Sequence, residues 1–468
     1  MTVPTPSERW PEAAFWSALA FGVLALKVVG LLLDPQPQFF MGDSASYIHS
    51  ALTGWVPADR SYLYGQFVRF IVADTQSLAP LVLAQAAAGG ATALLAARWA
   101  QLVFNPTRPV LCAVALVCTI DPSQLLFERY VMTETFALFA VALMMVALTH
   151  VTIRGQWLWM LPAVIAGTVV VALRMSMLPV VLACLAGAPL LALLARTLGP
   201  WQTMLCLGVA AIFVPPALFL ASRIQTGPFL LAAWSPLLTA QDFPDTAQGE
   251  RVLKGIDLAN PELFAREVNL WHPSGFMHRL TEEVADSKAR NRLARETALR
   301  VLRRDPIGVA NLGWRTYAQL WDTATRLRLM RWDVGQNPLG TAFRETLARS
   351  FRLVADDIPT PTLTARYYLS VGLWTTAACL AAPVLVAAAM FRRGRRQAAA
   401  IALLVMASSL ILLVTGLMTT LPVVRYLHPL GWMIAAVLVA AVGDAVSVVP
   451  VRRREGTDGE AGTDDGTR

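Results

Sequence analysis

Long apolar runs recur along most of the chain, and they restrict its fold more than any other feature. A helix of about 20 apolar residues crosses a bilayer, and a window of that length finds ten candidate spans. They lie near residues 13–33, 79–103, 109–121, 132–150, 157–175, 177–195, 203–222, 367–391, 398–418 and 426–447. Hydrophobic residues make up 56% of the 468 and charged residues 15%, which excludes a soluble globular fold. The sequence predicts an all-α polytopic membrane protein with about ten transmembrane helices.

Arginine placement predicts how these spans are oriented. The arginines at helix ends fall on one side of the predicted topology, with almost no acidic neighbours: Arg98, Arg108, Arg154, Arg196, and the clusters at 392–396 and 452–454. Cytoplasmic loops carry an excess of Lys and Arg, so this side is predicted to face the cytoplasm. The predicted location is the inner or plasma membrane of the cell. The same bias explains the net charge of +8, and no nucleic-acid partner is expected. Both termini are then cytoplasmic, and the first span is expected to remain uncleaved.

The spans divide the chain into modules. The predicted parts are an N-terminal transmembrane module at 1–222 with spans one to seven, a structured first outer loop within it at 34–78, an outer domain at 223–366, a C-terminal transmembrane module at 367–447 with spans eight to ten, and a disordered cytoplasmic tail at 448–468. Within the outer domain, Leu, Val and Ala recur at helical spacing up to Asp305–Pro306, where a second helix should begin. We therefore expect this extracytoplasmic insertion to be mostly helical.

Metal and cofactor chemistry receives no support from the sequence. The cysteines all lie inside apolar runs, where a thiol behaves as a small hydrophobic group: Cys112, Cys118, Cys184, Cys206 and Cys379. His272 and His278 have no neighbouring carboxylate or thiol at ligand spacing. No cofactor is therefore expected, and a divalent cation is not indicated.

The stretch QFFMGDSASYIHSAL places polar residues where the first span should leave the membrane. Pro35 and Pro37 should end the first helix, and Asp43 can cap a new short helix in which Tyr47 follows one turn later. A cap explains Asp43 structurally. A carboxylate at the membrane boundary also fits a catalytic group, and we favour that interpretation.

The second half of the first outer loop has the pattern of an interfacial helix. In RSYLYGQFVRFIV, at residues 60–72, apolar side chains recur at helical spacing while Arg60 and Arg69 lie elsewhere. Such amphipathic helices lie in the plane of the membrane surface. The first outer loop is therefore expected to be structured and close to the bilayer.

These motifs resemble those of the GT-C class of membrane glycosyltransferases, which includes protein O-mannosyltransferases and the aminoarabinose and rhizobial lipopolysaccharide sugar transferases. GDSASY is similar to the Asp-plus-aromatic motif in the first outer loop of that class. DPSQLLFERYVMTETFALF, at 121–139, supplies Asp121, Glu128 and Glu134 where the class has a second acidic residue, and MTE is the part most similar to its pattern. RSYLYG replaces the Pro-Pro-Leu-Tyr-like stretch of many members.

The resemblance implies an activity and a role for each acidic residue. A sugar would pass from a polyprenyl-phosphate donor to a lipid, glycan or protein acceptor on the extracytoplasmic face, with inversion of its configuration. Asp43 would be the catalytic base, and Glu134 or Glu128 would orient the acceptor or the sugar. Four further residues are candidates for substrate contacts: Tyr47, Arg60, Tyr62 and Asp121. Asp121 also suits a turn that starts a helix, which is the structural alternative.

Cations are needed where the phosphate of a lipid donor leaves. Arg174, in VVVALRMSMLPVV, and Arg425, in TTLPVVRYLHPLGW, stand close to apolar sequence at predicted outer helix ends. His428 follows Arg425 by one helical turn. These three are candidates for binding the donor phosphate. The structural alternative for each arginine is a side chain that extends to water from a membrane helix.

Two other functional classes fit parts of the pattern. A polysaccharide polymerase or ligase that uses undecaprenyl carriers would share the topology. A transporter or lipid flippase would also place charges in the membrane, but transporters usually show repeat symmetry and broken helices near the midplane. Because the charges here collect at outer helix ends, the sequence favours the glycosyltransferase.

Overall fold

The computed structural model describes residues 11–57, 61–72, 75–223, 226–334, 339–354, 361–381, 384, 396–419 and 431–447. Over these residues the chain is helical, and its one isolated β-bridge joins Gln38 to Tyr130. The predicted all-α class is confirmed for this part of the chain.

Twenty-one α-helices have defined bounds among the described residues. They are α1 (Glu12–Leu33), α2 (Met41–Thr53), α3 (Tyr62–Val72), α4 (Ala79–Phe104), α5 (Arg108–Thr119), α6 (Pro122–Phe127), α7 (Glu134–Arg154), α8 (Met160–Leu173), α9 (Leu178–Leu194), α10 (Pro200–Arg223), α11 (Gly227–Ala233), α12 (Thr246–Leu253), α13 (Leu263–Trp271), α14 (Phe276–Glu283), α15 (Ser287–Arg304), α16 (Pro306–Trp321), α17 (Thr323–Asp333), α18 (Thr341–Phe351), α19 (Leu363–Leu380), α20 (Arg396–Thr419) and α21 (Gly431–Ser447).

Five helical stretches of the described chain are long and apolar enough to cross a membrane. They are Glu12–Leu33, Ala79–Phe104, Glu134–Arg154, Met175–Leu194 and Pro200–Ala217. Shorter apolar helices cover Arg108–Thr119, Trp157–Leu173 and Leu403–Met418, which match three more of the ten predicted spans. The protein is thus a multi-pass membrane protein with five long spans among its described residues, and the count of ten is not confirmed.

The predicted eighth and tenth spans, at 367–391 and 426–447, lie partly outside the described residues. Their described parts, in α19 and α21, are not among these apolar helices. Asp34, at the end of α1, accepts hydrogen bonds from the backbone and side chain of Thr364 at 2.9 and 2.6 Å. The start of α19 is therefore fixed to the end of the first span.

Small side chains let the membrane helices pack closely. A β-carbon added at Gly167 would lie 2.9 Å from Val181, so α8 and α9 approach through a glycine. Trp99 on α4 is fully buried and meets Trp432 on α21 edge to face, with ring centroids 5.7 Å apart. This core joins the described parts of the N-terminal and C-terminal modules.

Helices α11 to α17 surround a second apolar core, whereas α18 packs with α2 and α3 in a third. Arg266 crosses the second core and donates to the Ala233 carbonyl at 2.9 Å and to Thr316 Oγ1 at 2.6 Å. α15 ends at Arg304 and α16 begins at Pro306, and the Asp305 side chain caps the latter by accepting from Gly308 N at 2.7 Å. The helix break predicted at Asp305–Pro306 is confirmed.

Candidate functional site

The start of α2 is built around Ser44 rather than Asp43. The N-cap residue is Phe40, whose backbone N–H donates to Ser44 Oγ at 2.8 Å. Ser44 Oγ in turn donates to the Val131 carbonyl at 3.1 Å. The prediction that Asp43 caps this helix was wrong, because α2 begins two residues earlier. Asp43 lies half-buried in the first turn, where the helix dipole favours a carboxylate.

Residues 128–133 form a buried loop that leads to Glu134, the first residue of α7. Gln38 N donates to the Arg129 carbonyl at 2.7 Å, and Val131 N donates to the Gln38 carbonyl at 3.0 Å. Together with the Ser44 contact, these bonds hold the loop against the chain that enters α2. The first predicted acidic motif is therefore attached to the segment that presents the second.

A chain of aromatic and amide side chains reaches the same loop from the other side. Tyr47, one turn after Asp43, meets Tyr64 on α3 edge to face, with ring centroids 4.8 Å apart. Tyr64 Oη donates to Gln85 Oε1 at 2.9 Å, and Gln85 Nε2 donates to the carbonyls of Glu128 and Tyr130 at 3.0 and 2.9 Å. Tyr47 is thus part of a buried support, and its ring is 6% exposed.

The surroundings of Tyr64 raise the pKa of its hydroxyl group. Burial raises its pKa well above the ordinary value of tyrosine, and Tyr47 and then the Glu134 carboxylate raise it further. Tyr64 therefore stays a neutral hydrogen-bond donor to Gln85 at physiological pH.

Glu134 and Arg174 form a buried ion pair. Arg174 ends α8, and its Nη1 lies 3.3 Å from Glu134 Oε1, with the side chains 7% and 6% exposed. Ser61 Oγ donates to the Ala172 carbonyl at 2.8 Å, which brings the start of α3 to the same place. Different roles were predicted for these two charges, but the structure joins them as partners.

Glu128 has a different environment. Its Oε1 accepts from Lys27 Nζ at 2.6 Å and from Gln124 Nε2 at 3.1 Å, and its side chain is fully buried. Lys27 Nζ also donates to the Thr119 carbonyl at 2.9 Å. A β-carbon at Gly89 would collide with Glu128 Oε1, so only glycine fits there. These contacts favour a supporting role for Glu128 in the loop, and its catalytic role stays a prediction.

The other predicted site residues divide into two groups. Asp121 is the N-cap of α6, where it accepts from Gln124 N at 2.8 Å, in agreement with the structural alternative. Arg60, Arg425 and His428 lie outside the described residues, as does the side chain of Tyr62. Among the described residues, no group of three or more His, Cys, Asp or Glu side chains is placed to hold a metal ion.

Sequence reasoning missed Lys27, Ser44, Tyr64 and Gln85. Lys27 carried a signal, since a lysine within an apolar span needs a partner. The other three are polar residues of ordinary loops and helices, and only their long-range contacts distinguish them.

Comparison with known proteins gives weak similarities. No known family matches the chain, and no curated protein is significantly similar to it. Two solved structures resemble it: ArnT from Cupriavidus metallidurans bound to undecaprenyl phosphate, and the same protein in the apo state. The first is 14% identical over 93% of this chain and 79% of that chain, with a TM-score of 0.36. The second is 14% identical over 88% and 78%, with a TM-score of 0.35. At these values the similarity decides neither the fold nor the function, and the proposals below do not depend on it.

The Ser44 contacts give a first prediction. Ser44→Ala leaves Phe40 N and the Val131 carbonyl without their shared partner, so we expect a loss of about 1–2 kcal/mol in the free energy of unfolding. Ser46 Oγ, on the same helix, donates a hydrogen bond to the Gly42 carbonyl one turn earlier. Ser46→Ala should therefore change stability by about 0.5 kcal/mol or less. Denaturant unfolding of both variants in detergent micelles measures the difference, and equal losses would contradict the assignment.

Proposed function

We propose that the protein is a membrane glycosyltransferase that moves a sugar from a polyprenyl-phosphate donor to a hydroxyl group of an extracytoplasmic acceptor. One observation carries the proposal. The first turn of α2, with Asp43, is hydrogen-bonded to the loop that presents the buried Glu134–Arg174 pair. The two acidic motifs that resemble those of the GT-C class thus belong to one connected cluster.

The chemistry needs a base and a stabilised leaving group. In the proposed step Asp43 takes the proton of the acceptor hydroxyl while the hydroxyl oxygen attacks the anomeric carbon of the donor sugar. The bond from that carbon to the phosphate breaks, and the polyprenyl phosphate leaves with the electron pair. Attack from the opposite face inverts the configuration. Because Asp43 is half-buried, it can meet a substrate without complete loss of hydration.

The structure changes how the remaining roles are best divided. Arg174 is engaged by Glu134 at 3.3 Å, so we propose that it orients this second carboxylate, which in turn positions the acceptor or the sugar. Arg425 and His428 then remain the candidates for the donor phosphate, on their sequence context alone. Arginine suits this task because its planar guanidinium binds phosphate at two points.

The active face is proposed to be extracytoplasmic. Support comes from the arginine bias, which places the clusters at 392–396 and 452–454 in the cytoplasm. The site residues lie at the opposite ends of the predicted spans.

A reconstituted transfer assay tests the activity. Purified protein in nanodiscs should release free polyprenyl phosphate from a polyprenyl-phosphate sugar only when an acceptor is added, with one sugar gained per acceptor. A panel of donors with different sugars and envelope-lipid acceptors gives the substrate. Repeated addition of glycan units would favour the polymerase or ligase, and movement of an intact donor across a vesicle membrane would favour the flippase; either result would contradict the proposal.

A further inference from the structure

An exposed stripe of large apolar side chains runs along α16. Ile307 is 73% exposed, Trp314 is 68% exposed and Trp321 is 40% exposed. They are seven residues apart, which places them on one face of a helix with 3.6 residues per turn. Tyr317 lies beside both tryptophans, with ring centroids 5.5 and 6.1 Å away. We call these four residues the aromatic stripe.

The stripe borders the side of α16 that contacts the apolar helices. A β-carbon at Gly313 would lie 2.9 Å from Met418 near the end of α20. Tyr317 Oη donates to the Leu380 carbonyl, at the end of α19, at 3.2 Å. Tyr317 therefore belongs both to the stripe and to the contact with helices of the C-terminal module.

The other sides of α16 have different neighbours. Val309, Leu312, Thr316 and Leu320 are buried on the side of α16 that faces the domain formed by α11 to α17. Asn311, Arg315 and Asp322 are exposed on the remaining side, because successive residues of a helix are about 100° apart. Around the helix axis, the aromatic stripe thus lies between the contact with the C-terminal module and a polar side.

We propose that the aromatic stripe of α16 lies in the headgroup region of the bilayer and docks the domain of α11 to α17 onto the membrane surface. Tryptophan and tyrosine are enriched at this level because their rings are apolar at one end and polar at the other. The order of surfaces around α16 matches a helix at the membrane boundary.

A bilayer fits the stripe better than a protein partner does. The stripe lies next to the contact of α16 with α20, and the Leu403–Met418 part of α20 is an apolar helix. Lipid around that helix would therefore also cover the stripe, with no further protein needed. Trp374 on α19, the helix that Tyr317 contacts, is also 79% exposed. A second copy of this chain is the competing occupant.

Spin labels at two positions of the same helix test the proposal. Trp314→Cys places a label on the stripe, and Arg315→Cys, about 100° further round the helix, places the control on the polar side. Cys112, which is exposed, and Cys379, which is partly buried, are replaced by alanine to remove competing thiols; the three other cysteines are buried. The labelled full-length chain is then reconstituted in nanodiscs.

The collision rates of each label with oxygen and with a water-soluble nickel chelate give its depth. Position 314 should lie roughly 5–10 Å into the boundary between headgroups and acyl chains, with high oxygen and low nickel accessibility, and position 315 should show the reverse. Equal nickel accessibility at the two positions would overturn the proposal. So would dipolar broadening between labels at position 314 of two copies, since that result would assign the stripe to self-association.

Discussion

Asp43→Asn is expected to lower the rate of sugar transfer by about 10² to 10⁴, because an amide cannot accept the proton of the acceptor hydroxyl. The variant keeps the shape of the side chain. It loses the favourable interaction of a carboxylate with the N-terminal end of α2, which is worth about 0.3–1 kcal/mol. Donor binding should be largely retained. Transfer rate, donor affinity and thermal midpoint are measured on one preparation in nanodiscs.

Glu12 provides the matched control for this variant. It also lies in the first turn of a helix, α1, and its side chain is exposed. Glu12→Gln removes the same charge from an equivalent helix position and should leave the transfer rate unchanged. Near-normal turnover of Asp43→Asn would remove Asp43 from catalysis and make Glu134 the next carboxylate to replace.

The largest loss of stability is expected for Lys27→Met. Glu128 would remain fully buried without its cation at 2.6 Å. Removal of one partner of a buried ion pair costs about 3–5 kcal/mol, because the remaining charge is uncompensated. Lys254 is exposed on the domain surface, so Lys254→Met should change stability by about 0.5 kcal/mol or less. Thermal unfolding of both variants in the same detergent gives the comparison.

A double variant separates the ion pair from the loss of packing. Lys27→Met combined with Glu128→Gln removes both charges, so it should recover part of the stability lost by Lys27→Met alone. If the double variant were less stable than either single variant by the sum of their losses, the two side chains would not interact. Such additivity would contradict the role of this pair in holding the 128–133 loop.

Periodicity and composition predicted the helical class because apolar runs of bilayer length have few other folds available. The boundary at Asp305–Pro306 was predictable for a local reason, since proline begins a helix more easily than it continues one. Asp43 shows the limit of such local reasoning. Its position next to Gly42 suggested a cap, but α2 begins at Met41 because Ser44 accepts from Phe40 N and also reaches Val131, 87 residues away.

The candidate site was predictable in its residue types and less so in its pairing. Glu134 and Arg174 were both identified from their sequence context, yet their partnership depends on how α7 packs on α8. Glu128 was an alternative to Glu134 because both lie in the stretch at 121–139, of which MTE was the part most similar to the GT-C pattern. Glu128 differs from Glu134 in its contact with the buried Lys27 of α1 and in the space that Gly89 leaves for it. These two features favour a supporting role for Glu128 and a functional role for Glu134.

The hydrogen bonds from Thr364 to Asp34 have a consequence for the order in which the protein is made. The end of α1 leaves the ribosome early, but its partner at Thr364 is 330 residues further along the chain. During synthesis the Asp34 carboxylate is therefore without this partner while α2 to α18 are inserted or folded. Only after α19 has been made can Thr364 bind Asp34 and complete the contacts around residues 34–47 and 128–134. A nascent chain stopped before residue 364 would carry both acidic motifs, but the segment that joins α1 to α2 would still lack one of its anchors.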